Sequence, residues 1–382
     1  MTDGSDRAEG DDPAKEPAAQ RPVGEGSGEP RAGTHWVGIV ANRGSGIGRG
    51  RRLVEELVYE LRRLGLAAEV AWTPAARSAL VQRAARNCGC RCLVAVGGDG
   101  TVSALLNERP GPPLTVMPAG TENLVARHFG LRRDPHGLAR TIAAGRAVPV
   151  DIAEAHGRRF LLMAGFGFDA DVVTRHHRGR ISHSGRVQPT SRMAYVAPIL
   201  RASFSYRFPT ISVRILDSGA EEVLRGTTVF IFNLPRYALG LPFVPVARDD
   251  DGWLDLVVFR HPGPFQAFYY LMKVLCGVHL TDPSVYHRRV RKVVVTARES
   301  IPVQLDGDPG GYVLPETSAS PGHGADGRAR PGPGDGAIAA SPTARLAAWT
   351  VEILPAGMTM LVPARRGSER TSRPPLVSDG HT

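Results

Sequence analysis

From Trp36 onward the chain alternates short apolar runs with stretches in which apolar positions recur every third or fourth residue. Trp36-Val-Gly-Ile-Val-Ala41 is an unbroken apolar run and predicts a buried strand. Leu53, Val54, Leu57, Val58, Leu61 and Leu64 follow at helical spacing with charges between them. Leu66 to Trp72 predicts a second strand, Ala75 to Asn87 a helix and Leu93 to Val96 a third strand. A helix begins over Thr101 to Asn107, Leu114 to Met117 forms a fourth strand, and Thr121 to Phe129 a helix capped by Thr121. This alternation predicts an α/β domain with a parallel, Rossmann-like sheet covered by helices.

Beyond residue 150 the pattern changes. Val148 to Ala153, Phe160 to Gly165, Thr210 to Leu216, Thr227 to Asn233, Leu254 to Phe259, Val290 to Thr296 and Ile301 to Leu305 read as strands with few helices between them. That is the signature of a mainly antiparallel β-sandwich. One aromatic-rich helix interrupts it, Pro264 to Gly277, whose Phe265, Phe268, Tyr269, Tyr270 and Leu271 are expected in the core, with membrane contact as the other reading. Order resumes at Trp349 to Leu354 and Met358 to Val362. The expected organisation is a disordered arm (1–34), a nucleotide-binding domain (35–150), a β-rich acceptor domain (151–363) with a flexible Gly/Pro/Ser-rich insertion (316–343), and a disordered tail (364–382).

Composition adds limits. At 382 residues the chain can hold two domains, and 42% hydrophobic content is ordinary for a globular protein. No apolar run reaches the ~18 residues of a spanning helix, and the N-terminal arm lacks the apolar stretch of a secretory signal. Four cysteines argue against a disulfide scaffold, so the cytoplasm is the expected compartment. Three of them, Cys88, Cys90 and Cys92, are too tightly spaced for the usual zinc pairing and read as small residues entering a strand. Residues 1–33 carry eight acids and four bases, so the remainder holds +14 of a net +10, almost all of it arginine. A basic body suits a nucleotide or an anionic membrane; no nucleic-acid module accompanies it. Arg175 to Arg192 holds five arginines and three histidines without an acid, which reads as a solvated loop or as a site for anionic head groups.

The chemistry concentrates where strands end. Asn42-Arg-Gly-Ser-Gly46 follows the first strand, but Gly-x-Gly-x-x-Gly counted from Gly44 or Gly46 lands on Arg49 or Arg51. It is neither a dinucleotide fingerprint nor a P-loop. Gly97-Gly-Asp-Gly-Thr101 is more specific. A plain turn needs one glycine; three around an acid suggest close backbone approach to phosphate oxygens, with Asp99 placed for a magnesium ion or its water shell. Pro118-Ala-Gly-Thr-Glu-Asn123 ends the next strand in the same way. Asp306-Gly-Asp308 is a hairpin signal as well as a pair of carboxylates.

Together these motifs resemble the diacylglycerol kinase catalytic family, which includes sphingosine kinases and bacterial lipid kinases, with NAD kinases as distant relatives. Pro118-x-Gly-Thr-x-Asn123 separates the lipid branch from the NAD branch. The likeness runs from about Trp36 to Pro363 and includes Ala164-Gly-Phe-Gly-Phe-Asp169, Pro245 to Asp255, and Val303 to Asp308, where the family usually carries Asp-Gly-Glu.

The resemblance implies an ATP-dependent lipid kinase with magnesium, acting on diacylglycerol or a similar lipid at a membrane surface, peripherally at its inner face, with a homodimer as a compatible assembly. Asn42, Gly44, Ser45 and Gly46 would touch nucleotide phosphates, and Thr73 would contact the nucleotide through its hydroxyl. Gly97, Gly98, Asp99, Gly100, Thr101, Val102 and Ser103 would form the central phosphate loop, with Thr121 and Asn123 beside it. Asp308 would accept the acceptor's proton, with Asp306 as the alternative. A structural magnesium would be held by Asp251 and main-chain oxygens near Arg248 and Trp253. Other readings are a sphingoid-base or NAD kinase-like enzyme and a catalytically impaired nucleotide-binding regulator, which Asp308 in place of Glu keeps open.

Overall fold

The computed structural model describes residues 35–41, 49–180, 204–217, 222–315 and 344–364. Strands β1 (Trp36–Ala41), β2 (Ala67–Ala71), β3 (Cys90–Gly97) and β4 (Leu114–Pro118) are parallel and lie in the order β2-β1-β3-β4. Helices α1 (Arg49–Arg63), α2 (Pro74–Arg86) and α3 (Asp99–Leu106) make the crossovers, as the apolar periodicity predicts. α1 turns Val54, Leu57 and Leu61 into the core and leaves Arg51–Glu55 and Arg52–Glu56 pairs in solvent. Strand order reverses between β1 and β3, so the ligand crevice of such a sheet is expected at the carboxyl ends of those strands.

α4 (Leu124–His128) is shorter than the helix expected over Thr121 to Phe129, and one helix escapes the periodicity: α5 (Pro135–Ala144) opens on Asp134-Pro135 and closes at Gly145 with φ 67°. The strands then run β5 (Ala147–Ala155), β6 (Arg158–Phe160) and β7 (Met163–Gly167), followed by α6 (Phe168–Arg180). The single strand expected over Phe160 to Gly165 is therefore split at Leu161 and Leu162. The first part of the arginine–histidine run is not a loop: it lies in α6, where Arg175 pairs with Asp171 at 2.6 Å. Its remainder, His183, Arg186 and Arg192, is outside the described residues.

The second half holds β8 (Ile211–Ile215), β9 (Glu222–Gly226), β10 (Thr228–Phe232), β11 (Leu254–Phe259), α7 (Pro264–Leu275), β12 (Val285–Val290), β13 (Lys292–Ala297), β14 (Ile301–Leu305), β15 (Asp308–Val313), β16 (Ala344–Leu346) and β17 (Ala348–Leu361). One sheet runs β12-β11-β10-β7-β14-β15-β16 and is antiparallel except where β15 meets β16. It packs on β13, β8 and β9 through a core that includes Phe166, Val293 and Trp349. This is the expected α/β plus antiparallel sandwich architecture.

A feature the pattern did not announce joins the halves. Trp349 to Leu354 and Met358 to Val362 are one strand, β17, continuous with a bulge between Leu354 and Met358. It pairs along β5, touches β4 at Met360–Leu114 and pairs with β13, so the parallel sheet continues into the sandwich. Buried Asp151 on β5 holds the bulge by accepting the Ala356 amide at 2.7 Å.

Helix α7 departs from its expected core place. Tyr270 and Val274 are buried, but Phe265, Phe268, Tyr269 and Leu271 are exposed. The apolar period marks a one-sided helix, and only the narrow side meets the sheet.

Candidate functional site

The carboxyl ends of β2, β3 and β4 lie along one edge. β3 and β4 end in register, with Gly97 beside Pro118, and the Ala119 amide donates to the Gly97 carbonyl at 2.9 Å. The two glycine loops touch through their backbones. A β-carbon on Gly98 would sit 3.2 Å from the Gly120 Cα, and one on Gly120 would collide with the Gly98 Cα. A β-carbon on Gly97 would overlap the Thr101 side chain. Glycine is needed here because backbones and a side chain already fill the space a Cβ would take.

Asp99 fastens the contact. Its two carboxylate oxygens accept the Leu124 and Val125 amides, each at 3.0 Å. Those are the first amides of α4, so the cap of that helix is Asp99 from the neighbouring loop rather than Thr121, which is exposed three residues upstream. Burial lifts the Asp99 carboxyl above its ordinary range, against the pull of the Val125 and Leu124 amides. Asn123, at φ 51°, closes the loop on itself. Its Oδ1 accepts the Gly120 amide at 2.9 Å and its Nδ2 donates to the Gly120 carbonyl at 2.8 Å.

The other predicted contacts are distributed as follows. Thr73 is exposed at the end of β2 and caps α2, accepting the Ala76 amide at 3.2 Å. Gly100 is exposed at the start of α3, while Val102 and Ser103 are buried. Asn42, Gly44, Ser45 and Gly46 lie outside the described residues. Of the three glycine turns expected to converge, the two that are described do.

The opposite wall comes from the sandwich. Asp306 and Gly307 form the β14–β15 turn with φ of 53° and 86°, the positive-φ pair of a tight hairpin. Asp306 turns inward: it accepts the Leu162 amide at 2.7 Å, Leu161 at 3.0 Å and Met163 at 3.1 Å. The break between β6 and β7 exists to offer those amides. Asp308, half-buried, turns outward, and its Oδ2 lies 3.5 Å from the point a β-carbon on Gly100 would occupy. A carboxylate of the second half thus stands on the glycine loop of the first.

Three residues with no role assigned from sequence brace this wall. Gln304 Oε1 accepts the Gly307 amide at 2.8 Å, and its Nε2 donates to Asp169 Oδ2 at 3.0 Å. Tyr237 donates to the same Asp169 oxygen at 3.2 Å. Asn107, at the end of α3, exchanges hydrogen bonds of 2.9 Å with the Arg159 backbone, tying the phosphate helix to β6. Gln304 lies within the Val303 to Asp308 motif, but its role, like those of Tyr237 and Asn107, comes from contacts far apart in the chain.

Burial raises the Asp306 carboxyl to about 7, opposed by the Leu161, Leu162 and Met163 amides and aided by the charge of Asp99. Burial also raises Asp169 to about 6, opposed by Gln304 and Tyr237. A carboxyl raised in the fold keeps a proton that the unfolded chain has released. Stability is therefore greatest at low pH in this respect and falls as pH rises from about 4 through 6 to 7. Asp169→Asn should remove its share, flattening the loss between pH 5 and pH 8 by about 1 kcal/mol. Urea unfolding at the two pH values measures it, and an unchanged slope would exclude a protonated Asp169.

The acidic turn lies at the seam of the two halves. Asp249 Oδ2 is 3.2 Å from His128 Nε2, and Asp250 pairs with Arg248 at 3.0 Å. Asp251 Oδ1 accepts the Trp253 amide at 3.1 Å, and Oδ2 takes the Arg289 guanidinium at 2.5 Å. Asp151 binds the turn from below, accepting the Gly252 amide at 2.6 Å. Among the described residues no group of three or more His, Cys, Asp or Glu is arranged to hold a metal. An ion on Asp251 and the main-chain oxygens of Arg248 and Trp253 would have to displace Arg289. In this arrangement the Arg289 guanidinium already occupies Asp251 Oδ2.

Comparison with known proteins places this geometry. Residues 37–155 match the model of the diacylglycerol kinase catalytic domain, and residues 163–324 that of the YegS C-terminal NAD kinase beta sandwich-like domain. The diacylglycerol kinase of Mycobacterium tuberculosis (strain H37Rv) is 30% identical over 242 residues, 61% of this chain and 75% of the relative. That of Staphylococcus carnosus (strain TM300) is 25% identical over 286 residues, 72% of this chain and 89% of the relative. The crystal structure of a diacylglycerol kinase from Bacillus anthracis str. Sterne shares the fold, with TM-score 0.55 and 18% identity over 86% of this chain and 96% of that one. A second structure from that organism gives a TM-score of 0.62 at 21% identity, over 86% and 95% of the two chains.

Proposed function

For a chain that belongs to the diacylglycerol kinase catalytic-domain family, we propose transfer of the γ-phosphate of ATP to the hydroxyl of diacylglycerol or a closely similar lipid. The observation that carries this reading is Asp308 Oδ2 standing against Gly100. It brings a proton-accepting carboxylate to the loop that would hold the phosphates.

In this reading the start of α3 and the glycine loop orient the triphosphate, because a helix N-terminus offers amides and positive partial charge. The lipid oxygen bonds to the γ-phosphorus as the bond to ADP breaks, and the hydroxyl proton passes to Asp308. A hydroxyl is a weak nucleophile, so acceptance of its proton at the moment of attack is the step the protein must supply. Magnesium would travel with the nucleotide and offset phosphate charge. Both Asp99 oxygens serve amides, so Asp99 would meet that ion only through its water shell. Gln304 and Asp306 keep the Asp308 turn in place.

Labelled ATP offered with diacylglycerol, a sphingoid base and NAD tests the proposal. Label in phosphatidic acid is the expected result. Label on the sphingoid base or NAD alone would move the acceptor, and nucleotide binding without transfer to any acceptor would leave a binding protein. Among the described residues no helix is long and apolar enough to cross a membrane. We place the protein in the cytoplasm, meeting its acceptor from the membrane surface.

A further inference from the structure

Helix α7 is anchored by one side and presents the other to solvent. On the inner side Tyr270 stacks near Phe259 at 4.7 Å, accepts the His261 amide at 3.2 Å and donates to Ser284 Oγ at 3.1 Å. On the outer side Phe265 is 86% exposed and Phe268 63%, and Tyr269 and Leu275 follow on the same face. Single exposed apolar residues are ordinary, but a contiguous aromatic and aliphatic face on one helix marks an interaction surface.

The helix itself carries no acid; the acid next to it in space, Asp282, pairs with Lys273 at 3.3 Å and accepts the Tyr269 hydroxyl at 2.6 Å. Arg260 is exposed at the border, its guanidinium 5.1 Å from the Tyr286 ring centre. Lys273 lies 5.3 Å from the Tyr269 ring centre. An apolar face with aromatic residues and a cationic rim is the chemistry of a helix lying in a bilayer interface. A second copy of this chain fits less well. A helix about 18 Å long and about 10 Å wide offers far less than the roughly 800 Å² per partner of a stable protein interface.

The face is also mechanically joined to the site. Phe259 meets Phe230 at 5.9 Å, and Phe230 meets Tyr237 at 6.5 Å. Tyr237 in turn holds Asp169, which Gln304 links to the Asp308 turn.

We propose that the outer face of α7 is the surface by which this protein docks on an anionic lipid bilayer, inserting Phe265 and Phe268 among the acyl chains. The docking rests on the lipid-acceptor reading for its purpose but is tested apart from it. Flotation with phosphatidylcholine vesicles containing roughly 30% phosphatidylglycerol compares the full chain with its Phe265→Glu, Phe268→Glu double variant. Both side chains are exposed, so the variant should keep the wild-type circular dichroism and melting temperature. The bound fraction should fall at least about tenfold. Transfer to long-chain diacylglycerol in those vesicles should fall with it, while transfer to dispersed short-chain diacylglycerol stays within about twofold. Equal flotation of the two proteins, or no flotation of the wild type, overturns the docking. A dimer that the substitutions turn into a monomer, with flotation unchanged, overturns it in favour of self-association. If wild type floats, the variant does not, and neither phosphorylates a lipid, the docking stands and the acceptor reading falls.

Discussion

Asp308→Asn should lower kcat for lipid phosphorylation by about a thousandfold, within the range a positioned general base supplies. Nucleotide affinity should change by less than about twofold, because the substitution is nearly isosteric and removes proton acceptance rather than a phosphate ligand. The folded state should survive, since the turn is held by Asp306 and Gln304 rather than by Asp308. Pre-steady-state transfer and nucleotide titration separate the two effects. A variant keeping a tenth of wild-type kcat would show that another group accepts the proton. Asp308→Glu restores the longer side chain usual in the family and should keep transfer within about tenfold, because a carboxylate remains within hydrogen-bond reach.

Asp99→Asn should cost both stability and rate. Asparagine offers one oxygen where Asp99 offers two, and its amide would point a donor at the Leu124 or Val125 amide. One buried N–H would lose its acceptor, at about 1–3 kcal/mol. The melting temperature should fall by several degrees, on the scale of roughly 2–4 °C per kcal/mol for a domain of this size. Transfer should drop at least about a hundredfold, since a displacement of about 1 Å in the phosphate loop is enough for that. Calorimetry with and without nucleotide, beside steady-state kinetics, measures both. If Asp99→Asn lost activity with an unchanged melting temperature, Asp99 would act on the ligand alone and the tie to α4 would carry no energy.

Much of the molecule could be read before any coordinates. Val94, Ala95 and Val96 declare a strand buried on both faces, and Leu53, Val54, Leu57 and Leu61 declare a helix packed on it. Such runs are legible because backbone period and burial act over a few residues. The glycine loops are legible too, because Gly98 and Gly120 meet backbone to backbone and tolerate no side chain. What failed was what depends on remote partners. Thr121 resembles a helix cap until Asp99 arrives from the next loop and takes the role. Pro355 to Gly357 resembles a strand end until Asp151 holds it as a bulge within β17. The arginine–histidine run resembles a loop until α6 forms beneath the β14–β15 hairpin, where Arg178 reaches the Tyr312 hydroxyl at 3.2 Å.

Helix α7 makes the boundary concrete. Its apolar period is plain and predicts a place in the core, because burial by protein is the commoner fate of such a face. Period records which side avoids water, not what takes the water's place.

The amino-acid sequence by itself determined the alternation of the first four strands with α1, α2 and α3, the change to mainly antiparallel strands after it, and the residue types collected at the ends of β3 and β4. Those follow from local period, glycine geometry and residue type. Tertiary structure alone decided that Asp308 faces Gly100 across some two hundred residues of chain, that Asp99 and Asp306 face inward onto amides, and that α7 turns its phenylalanines outward. The first depends on the packing of one half on the other, and the others on contacts between loops and strands far apart in the chain; no window of neighbouring residues contains that information.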